Sequence, residues 1–314
     1  MKNVHRLTEG SVLLAIFAVL LLITLNVPLL GFVTNLFLVL PFIYFAWKNE
    51  WKGIIVFLVA ATIISLIVGT VLAVPFTLLF GTTGITLGYL SQKNKSRTTI
   101  LMVATLVFII NVLIQYGAAV VLFDFNFVKE TTQMMQQSFE TSFKMLGAAG
   151  QSTTEVEKLK EQMDTMLKSI QTLLPSMLVM GSFGMVFFLQ LINFPILKRF
   201  GFKISQWKPF RELSLPKSIL WYYLITALLS MVLRPEDGSY IHTALWNLSY
   251  ILQILLVVQG LSFIYFASHL KGWPKVIPIM ATVLLVLIPL ILYIIRILGI
   301  IDLGFDLRKR LVKK

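Results

Sequence analysis

The feature that most constrains this chain is a stretch of 38 residues, from Gly53 to Leu90, that carries no charged side chain. At about 1.5 Å per residue, this stretch is much longer than one helix needs to cross ~30 Å of hydrocarbon. We therefore predict two membrane-spanning helices here, separated near Pro75, because a proline inside a helix breaks its hydrogen-bond ladder.

Charge-free apolar runs recur along the whole chain. They give candidate spans at residues 11–27, 29–46, 53–73, 75–90, 98–123, 172–197, 218–233, 243–268 and 276–298. Only helices and closed barrels satisfy every backbone polar group in lipid, and these runs are too long for barrel strands. The predicted fold is therefore all-α, a polytopic transmembrane helical bundle of about eight to nine spans.

The composition supports a membrane protein and excludes a soluble enzyme. Hydrophobic residues make up 57% of the chain and charged residues 13%, and the mean hydropathy is +0.86. Too few polar residues remain to cover a water-soluble core of this size. The net charge of +13 is then assigned to loops beside the membrane, and no nucleic-acid partner is expected.

The distribution of Lys and Arg predicts an orientation. With the N-terminus inside, alternate inside loops carry 15 basic residues, whereas the short outside loops carry only Arg234. The positive-inside rule then predicts a bacterial cytoplasmic membrane protein with a cytoplasmic N-terminus. Nine crossings would leave the basic C-terminal tail outside, so we expect eight crossings and one segment that crosses only in part.

The region 124–171 differs from the rest because it carries five lysines and seven acids. Its apolar residues recur at helical spacing on both sides of a break at 147–152, and they are Met135, Phe139, Phe143, Leu146, Val156, Leu159, Met163, Met166 and Ile170. We predict an extracytoplasmic amphipathic helical hairpin. It acts as a lid if the protein binds a solute from outside, and the alternative is a helix pair that rests permanently in the headgroup layer. The chain then divides into spans one to five (1–123), these helices (124–171), span six with a basic cytoplasmic loop (172–217), and the C-terminal segments with their tail (218–314).

The sequence contains no catalytic or metal-binding constellation. It has no cysteine, no His-Glu-x-x-His, no Gly-x-Ser-x-Gly and no P-loop, so we expect no enzyme activity, no metal and no cofactor. The polar groups inside the predicted spans are neutral amides. Such amides either hydrogen-bond one helix to another or line a cavity for a polar solute. The candidate ligand-binding residues are Asn35, Asn111, Gln115, Gln190 and Asn193.

Small residues and the tail give further candidates. Gly81, Gly84 and Gly88 in the fourth span, and Ala15 and Ala18 in the first, have the small side chains that let helices pack closely or dock a partner subunit. Tail residues that we assign to an anchor on lipid headgroups are Asp302, Asp306, Arg308 and Arg310. On a helix the two aspartates share a face, and either can pair with Arg308 or Arg310.

Three motifs resemble the YybS-type family of bacterial membrane proteins. They are Leu7-Thr8-Glu9-Gly10, Gln259-Gly260-Leu261-Ser262, and the tail from Gly299 to Arg310. This resemblance covers essentially the whole chain and carries over no catalytic residue.

The first six spans are also similar to the S subunits of energy-coupling-factor vitamin transporters, with a Gly-rich fourth span and a return inside near Lys198. That similarity implies a pocket for a neutral or zwitterionic small molecule and coupling to a separate ATPase subunit.

Two functions follow from these observations. The first is a transport-related protein that binds a small solute without its own ATPase. The alternative is a non-transporting scaffold or regulatory partner of another membrane protein, with the lipid bilayer as the common partner. A pocket among the first six spans with several of the amides facing it would favour transport, and a closed dry bundle would favour the scaffold.

Overall fold

The structure, a computed structural model, describes residues 2–148 and 153–312, and the regular structure in that part of the chain is helical throughout. The α-helices are α1 (Lys2–Asn26), α2 (Pro28–Asn35), α3 (Leu40–Lys48), α4 (Trp51–Gly69), α5 (Ala73–Gln92), α6 (Arg97–Phe123), α7 (Phe127–Ala148), α8 (Thr153–Arg199), α9 (Ser218–Leu233), α10 (Tyr240–Leu270), α11 (Val276–Leu287), α12 (Pro289–Phe305) and α13 (Leu307–Val312). A 3₁₀ turn, Phe210–Glu212, precedes α9. The predicted all-helical membrane fold is confirmed.

Within the described residues, 7 helical segments are long and apolar enough to cross a membrane. They are Arg6–Asn26, Pro28–Lys48, Trp51–Gly69, Ala73–Gln92, Arg97–Phe123, Val156–Arg199 and Tyr240–Leu270. Two shorter apolar helices, Ser218–Leu233 and Val276–Leu287, fall on the remaining runs predicted from the sequence.

The break in the 38-residue apolar stretch lies earlier than predicted. The chain leaves α4 at Thr70, whose φ of 64° ends the helix, and α5 begins at Ala73. Pro75 therefore lies in the first turn of α5, where its missing N–H has no helical partner to lose. Proline marks the start of the second helix here and not the gap itself.

Two compact units make up the chain, and each is described by itself. Unit 1 contains Met1–Lys144 and Leu178–Gln206, and unit 2 contains Met145–Met177 and Trp207–Lys314. This division differs from the four predicted segments because the 47-residue helix α8 supplies residues to both units.

The core of unit 1 is built around the ring of Phe42 in α3. The ring of Phe17 lies 5.1 Å from it and that of Phe57 lies 5.5 Å from it, both edge to face. Glycines of α5 face the same helix, since a Cβ on Gly84 would lie 2.8 Å from the Val39 carbonyl oxygen. A Cβ on Gly88 would overlap the Ile43 carbonyl, and one on Gly81 would lie 2.8 Å from Leu58.

The packed face of α1 does not follow the predicted alanines. Leu13, Phe17 and Leu21 are buried at a spacing of four residues, whereas Ala15 is exposed and Ala18 is half-buried. Large side chains hold this helix against the unit, because they bury more apolar surface than alanine does.

Both amphipathic helices predicted for 124–171 are present as α7 and the start of α8, and α8 continues without interruption into the predicted sixth span. In α7 the predicted apolar face, Met135, Phe139, Phe143 and Leu146, is half-buried, and Met134 is 64% exposed. Residues 149–152 of the predicted hinge lie outside the described part of the chain. Closure of the pair as a lid stays a prediction.

In unit 2, α10 and α12 run parallel. Gln253 contacts Arg296, Leu256 contacts Gly299 and Gln259 contacts Asp302, each pair separated by 43 residues. Their closest approach lies at Gly260 and Gly299, where a Cβ on either glycine would overlap a backbone carbonyl of the other helix. The run 276–298 is divided at Ile288, where α11 ends and α12 begins.

Because α10 and α12 are parallel, the C-terminal tail lies at the same end of unit 2 as the loop before α9. Lys217 Nζ donates to Asp306 Oδ2 at 2.5 Å, and Arg308 Nη1 donates to the Arg211 carbonyl at 2.9 Å. The tail is expected at this end if one predicted segment crosses the membrane only in part.

This arrangement predicts the outcome of a topology experiment. Reporters fused after Lys208 and after the C-terminus should read the same side of the membrane, and one fused after Gln151 should read the other side. Alkaline phosphatase and fluorescent-protein fusions measure this directly. Opposite readings at Lys208 and the C-terminus would contradict the parallel α10–α12 pair.

Gly299 gives a packing test. Replacing it by alanine puts a methyl group against the Leu256 carbonyl, and backbone atoms cannot move aside as a side chain can. We expect Gly299→Ala to destabilise the protein by about 1–3 kcal/mol. Gly184→Ala is the matched control, because nothing lies within 4 Å of its Cβ position. This control should be up to ~1 kcal/mol more stable than the wild type, because alanine has a higher helix propensity than glycine. Thermal unfolding in detergent separates the two, and equal midpoints would refute the close contact.

Candidate functional site

The second span is interrupted between α2 and α3, and this interruption creates a polar site. Residues 36–39 form turns in which Leu40 N donates to the Phe37 carbonyl at 3.0 Å. In a continuous helix Leu40 would instead bond to Leu36. Pro41 follows in the first turn of α3 and keeps the helix from extending backwards. The Leu36 carbonyl is therefore left without its helical donor.

Asn193 of α8 supplies the missing donor. Its Nδ2 donates to the Leu36 carbonyl at 2.9 Å and to the Leu189 carbonyl of its own helix at 2.9 Å. A side-chain amide of a neighbouring helix thus replaces the lost backbone hydrogen bond, as an apolar environment requires. This bond places α8 directly beside the interrupted span.

Around that bond lie three amides, Asn35, Gln190 and Asn193, which we term the amide cluster. Asn193 is bonded to the residue that follows Asn35, and Gln190 lies one turn before Asn193 on the same face of α8. Gln190 and Asn193 are 0% exposed. Three of the five amides predicted to bind a ligand therefore lie on the two segments of unit 1 that this bond joins.

The amide cluster has unused hydrogen-bonding capacity. Among the described residues, no partner is present for Asn35 Oδ1, for Asn193 Oδ1 or for either polar atom of the Gln190 side chain. A buried polar group without a partner costs about 1–3 kcal/mol, and native proteins rarely leave one without water or a ligand. These four atoms, on α2 and α8 beside the interrupted span, are the candidate groups for binding a polar molecule.

Arg97 lies beside the amide cluster, which the sequence did not indicate. Only 9% of it is exposed. Its Nη2 donates to the Gln190 carbonyl at 3.3 Å, and its guanidinium lies 5.2 Å from the centre of the Phe194 ring. The sequence assigned Arg97 to a basic loop because it follows Lys93 and Lys95. The local signal is Ser96, which caps α6 through the Thr99 N–H at 3.1 Å and so makes Arg97 the first helical residue.

Asn111 and Gln115, the other two predicted ligand-binding amides, lie outside the amide cluster. Asn111 Nδ2 donates to the Val107 carbonyl of its own helix at 2.9 Å. Gln115 Nε2 donates to the Pro75 carbonyl at 3.0 Å and so links α6 to the first turn of α5. Gln115 thus joins two helices, the other role that the sequence left open, whereas the Asn111 bond stays within its own helix.

A second polar site, in unit 2, unites two of the motifs that resemble the YybS-type family. We term it the carboxylate network, and it consists of Gln259, Ser262, Asp302 and Arg308. Asp302 is 4% exposed, and its Oδ2 accepts from Gln259 Nε2 at 2.5 Å and from Arg308 Nε at 3.0 Å. The charged pair is thus buried with hydrogen bonds on both partners.

The carboxylate network also fastens the loop before α9. Ser262 Oγ lies 2.8 Å from the carbonyls of Phe210 and Leu213, and it accepts from Arg308 Nη2 at 3.1 Å. Gln259 Oε1 accepts from the Leu215 N–H at 2.8 Å. Every member is paired with another member or with the loop, so this arrangement holds α10, α12 and the loop together.

The tail residues predicted to contact lipid headgroups therefore separate into two pairs. Asp302 and Arg308 lie inside the carboxylate network and pair with each other, one of the pairings that their spacing allowed. Arg310 is exposed, and Asp306 accepts from Lys217. The Lys217 ammonium lowers the pKa of the Asp306 carboxyl through this hydrogen bond. Contact of these tail residues with lipid headgroups stays a prediction.

Asn247 bonds to backbone groups of α8 beside Pro175. Proline has no backbone N–H, and its ring clashes with the carbonyl one turn earlier in a regular helix. Asn247 Oδ1 accepts from the Ser176 N–H at 2.8 Å, and its Nδ2 donates to the Thr172 carbonyl at 2.7 Å. These are the two groups that a regular helix would pair with each other. An amide of α10 thus takes the place of one helical hydrogen bond beside Pro175.

Comparison with known proteins identifies the family. The family model described as "Predicted membrane protein (DUF2232)" matches residues 15–303, and the chain belongs to this family. It is 32% identical over 314 residues to the "Uncharacterized protein YybS" of Bacillus subtilis (strain 168), with 99% of each chain covered. No solved structure matches. The resemblance to YybS-type membrane proteins is confirmed, and the similarity to S subunits stays a proposal.

The carboxylate network predicts a large effect of one conservative substitution. Asp302→Asn removes the negative charge beside Arg308, which keeps its bonds to the Arg211 carbonyl and Ser262, and we expect a loss of about 1.5–3 kcal/mol for the charged hydrogen bond. Arg308→Met in the same chain should recover part of that loss, because both charges are then gone. Lys217→Gln, which breaks an exposed ion pair on the same tail, should leave the unfolding midpoint nearly unchanged. A midpoint for Asp302→Asn as high as that of Lys217→Gln would contradict the network.

Proposed function

We propose that this membrane protein binds a small neutral or zwitterionic solute at the amide cluster of unit 1 and takes part in the transport of that solute. The single observation that carries the proposal is the interrupted span beside four buried polar atoms that have no partner among the described residues. Interrupted helices with unwound backbone are the usual binding elements of membrane transporters. A bundle of continuous helices in which every polar group is paired would lack such a site.

The chemistry of the amide cluster selects the class of solute. Three of the four unpaired atoms are amide oxygens, which accept hydrogen bonds, and one is an amide nitrogen, which donates them. A solute rich in hydroxyl or amine donors complements this set. The neighbouring guanidinium of Arg97 disfavours a net cation and favours either a neutral molecule or one with a carboxylate of its own.

Energy for transport must come from elsewhere, since the sequence contains no P-loop. The role that fits is that of a substrate-binding subunit, similar to the S subunits of energy-coupling-factor transporters, with a separate ATPase subunit as partner. In this proposal the N-terminus is cytoplasmic, and the helices α7 and α8 cover the outer side as a lid.

A second candidate function, a scaffold or regulator of another membrane protein, is favoured by unit 2. The carboxylate network uses its hydrogen-bonding groups within the unit and rigidly joins α10, α12 and the loop before α9. A rigid platform of this kind suits docking of a partner better than it suits solute binding.

Gln190→Met tests solute binding with little disturbance of the fold. Neither polar atom of Gln190 has a partner among the described residues, so the substitution keeps the volume and removes no bond of the protein. We expect native mass spectrometry of gently purified protein to show a retained small molecule. The variant should retain roughly tenfold less, as the loss of one or two hydrogen bonds of about 1 kcal/mol each implies.

Gln115→Met is the matched control, because it removes an amide of the same unit that already bonds to Pro75. Its retention of the small molecule should equal that of the wild type. The proposal of solute binding is wrong if the wild type retains no small molecule, or if Gln190→Met retains as much of it as the wild type does. A stoichiometric membrane protein that co-purifies with all three chains in that case would favour the scaffold.

A further inference from the structure

Apart from the amide cluster, unit 1 contains an open cleft whose rim is basic. The cleft has a volume of about 580 Å³ and lies between the segment after α5 and the segment after α8. Its floor includes Ile100 and Phe202, which are 1% and 5% exposed. Its rim carries the exposed side chains of Lys95, Lys198 and Lys203. The volume is within the range of small-molecule sites, about 300–1,000 Å³.

The backbone on both sides of this lysine cleft is fixed by the same type of helix end. After α5, Lys95 N donates to the Leu90 carbonyl at 3.1 Å, and Asn94 adopts a left-handed φ of 52°. After α8, Phe202 N donates to the Leu197 carbonyl at 3.2 Å, and Gly201 has a φ of 84°. These are Schellman motifs, which hold the chain after a helix in one conformation.

Aromatic packing fixes the floor of the lysine cleft. The ring of Phe202 lies 4.3 Å from that of Trp47 and 5.0 Å from that of Tyr44, both in α3. Lys203 is the next residue, so its backbone is positioned by this packing. The rim lysines are therefore held by structure on both sides and are not side chains of a free loop.

The electrostatics of the lysine cleft favour an anion. None of the described residues that line it carries a carboxylate. The sequence contains no acid between Glu50 and Asp124 or between Asp164 and Glu212, the two regions that supply the lining. The N-terminus of α6 begins two residues after Lys95, and its dipole adds positive potential. Two helix C-termini end here as well, but the Schellman bonds already satisfy their carbonyls.

Neutral donors complete the lining. Asn94, Ser205 and Gln206 supply amide and hydroxyl groups beside the three ammonium groups. Three point charges with neutral donors between them suit the oxygens of a phosphate, which carries its charge on several acceptors. Basic pockets between transmembrane helices are also where anionic phospholipid headgroups bind.

We propose that the lysine cleft binds a phosphate-bearing anion, through Lys95, Lys198 and Lys203. The phosphate belongs either to an anionic phospholipid such as phosphatidylglycerol or to a soluble phosphate compound. The site is separate from the amide cluster, so the proposal stands whether or not unit 1 transports a solute.

The experiment uses the full chain and two phosphate probes. In the lipid arm, the protein is extracted from nanodiscs that contain phosphatidylglycerol and phosphatidylcholine in equal amounts, and retained lipid is measured by native mass spectrometry. In the soluble arm, pyrophosphate is titrated onto the protein in an uncharged detergent. The wild type should retain phosphatidylglycerol in preference to phosphatidylcholine, or bind pyrophosphate, and the arm that responds identifies the source of the phosphate.

The variant Lys95→Gln/Lys198→Gln/Lys203→Gln should lose at least about tenfold in affinity for the responding probe, since each lysine near an anionic group contributes strongly. The matched control, Lys52→Gln/Lys271→Gln/Lys275→Gln, removes the same charge at exposed positions outside the cleft lining. It should stay within about twofold of the wild type, because none of these three lysines lines the cleft. Lys203→Glu alone should weaken binding more than Lys203→Gln does. This comparison of single variants tests the proposal if the triple variant does not fold.

Equal losses in the cleft and control variants would show a general charge effect and overturn the proposal. So would equal retention of the two lipids together with no binding of pyrophosphate. A loss confined to the cleft variant, reduced at high salt in the wild type as screened charges require, supports it.

Discussion

The constraint on which this structure depends is that backbone polar groups in hydrocarbon must be hydrogen-bonded inside the protein. Helices meet this constraint except where they are interrupted, and here the interruptions are repaired by amides of neighbouring helices. Asn193 bonds to the Leu36 carbonyl at the break between α2 and α3, and Asn247 bridges Thr172 and Ser176 beside Pro175. Gln115 bonds to the Pro75 carbonyl inside α5 and so links two continuous helices.

That constraint also separates the amides that hold the fold from those that are free to bind. Asn247 uses both ends of its side chain on α8, and Gln115 has its nitrogen bonded to Pro75. The Gln190 side chain is 0% exposed and has no hydrogen-bond partner among the described residues, whereas Asn247 and Gln115 are half-buried. Since burying an amide without a partner is costly, the Gln190 side chain needs a partner that the described chain does not supply. This contrast is the physical basis of the proposed solute site.

Charged residues show a similar division between structure and binding. Asp302 and Arg308 are buried and paired, and they join the end of α12 to the loop before α9. Lys95, Lys198 and Lys203 stay exposed around a cleft whose described lining has no acid. A buried pair stabilises a single arrangement and is costly to break, whereas exposed lysines keep their charge available for an anion. The basic residues behind the net charge of +13 therefore include paired residues that hold the structure and exposed residues that can bind an anion.

The sequence by itself determined the helical membrane fold and the position of its helices, because apolar runs of span length leave the backbone no other structure in lipid. It also identified α7 as amphipathic, and it placed the right amides among the candidates. It did not separate Asn35, Gln190 and Asn193 from Asn111 and Gln115, because all five read alike as neutral amides in apolar runs.

Only the tertiary structure decided which amide lies beside a broken helix. It likewise buried Arg97 and brought Gln259 to Asp302 across 43 residues of sequence. Local spacing fixes which residues share a helix face, but the parallel packing of α10 and α12 rests on two glycines whose contact no local pattern specifies.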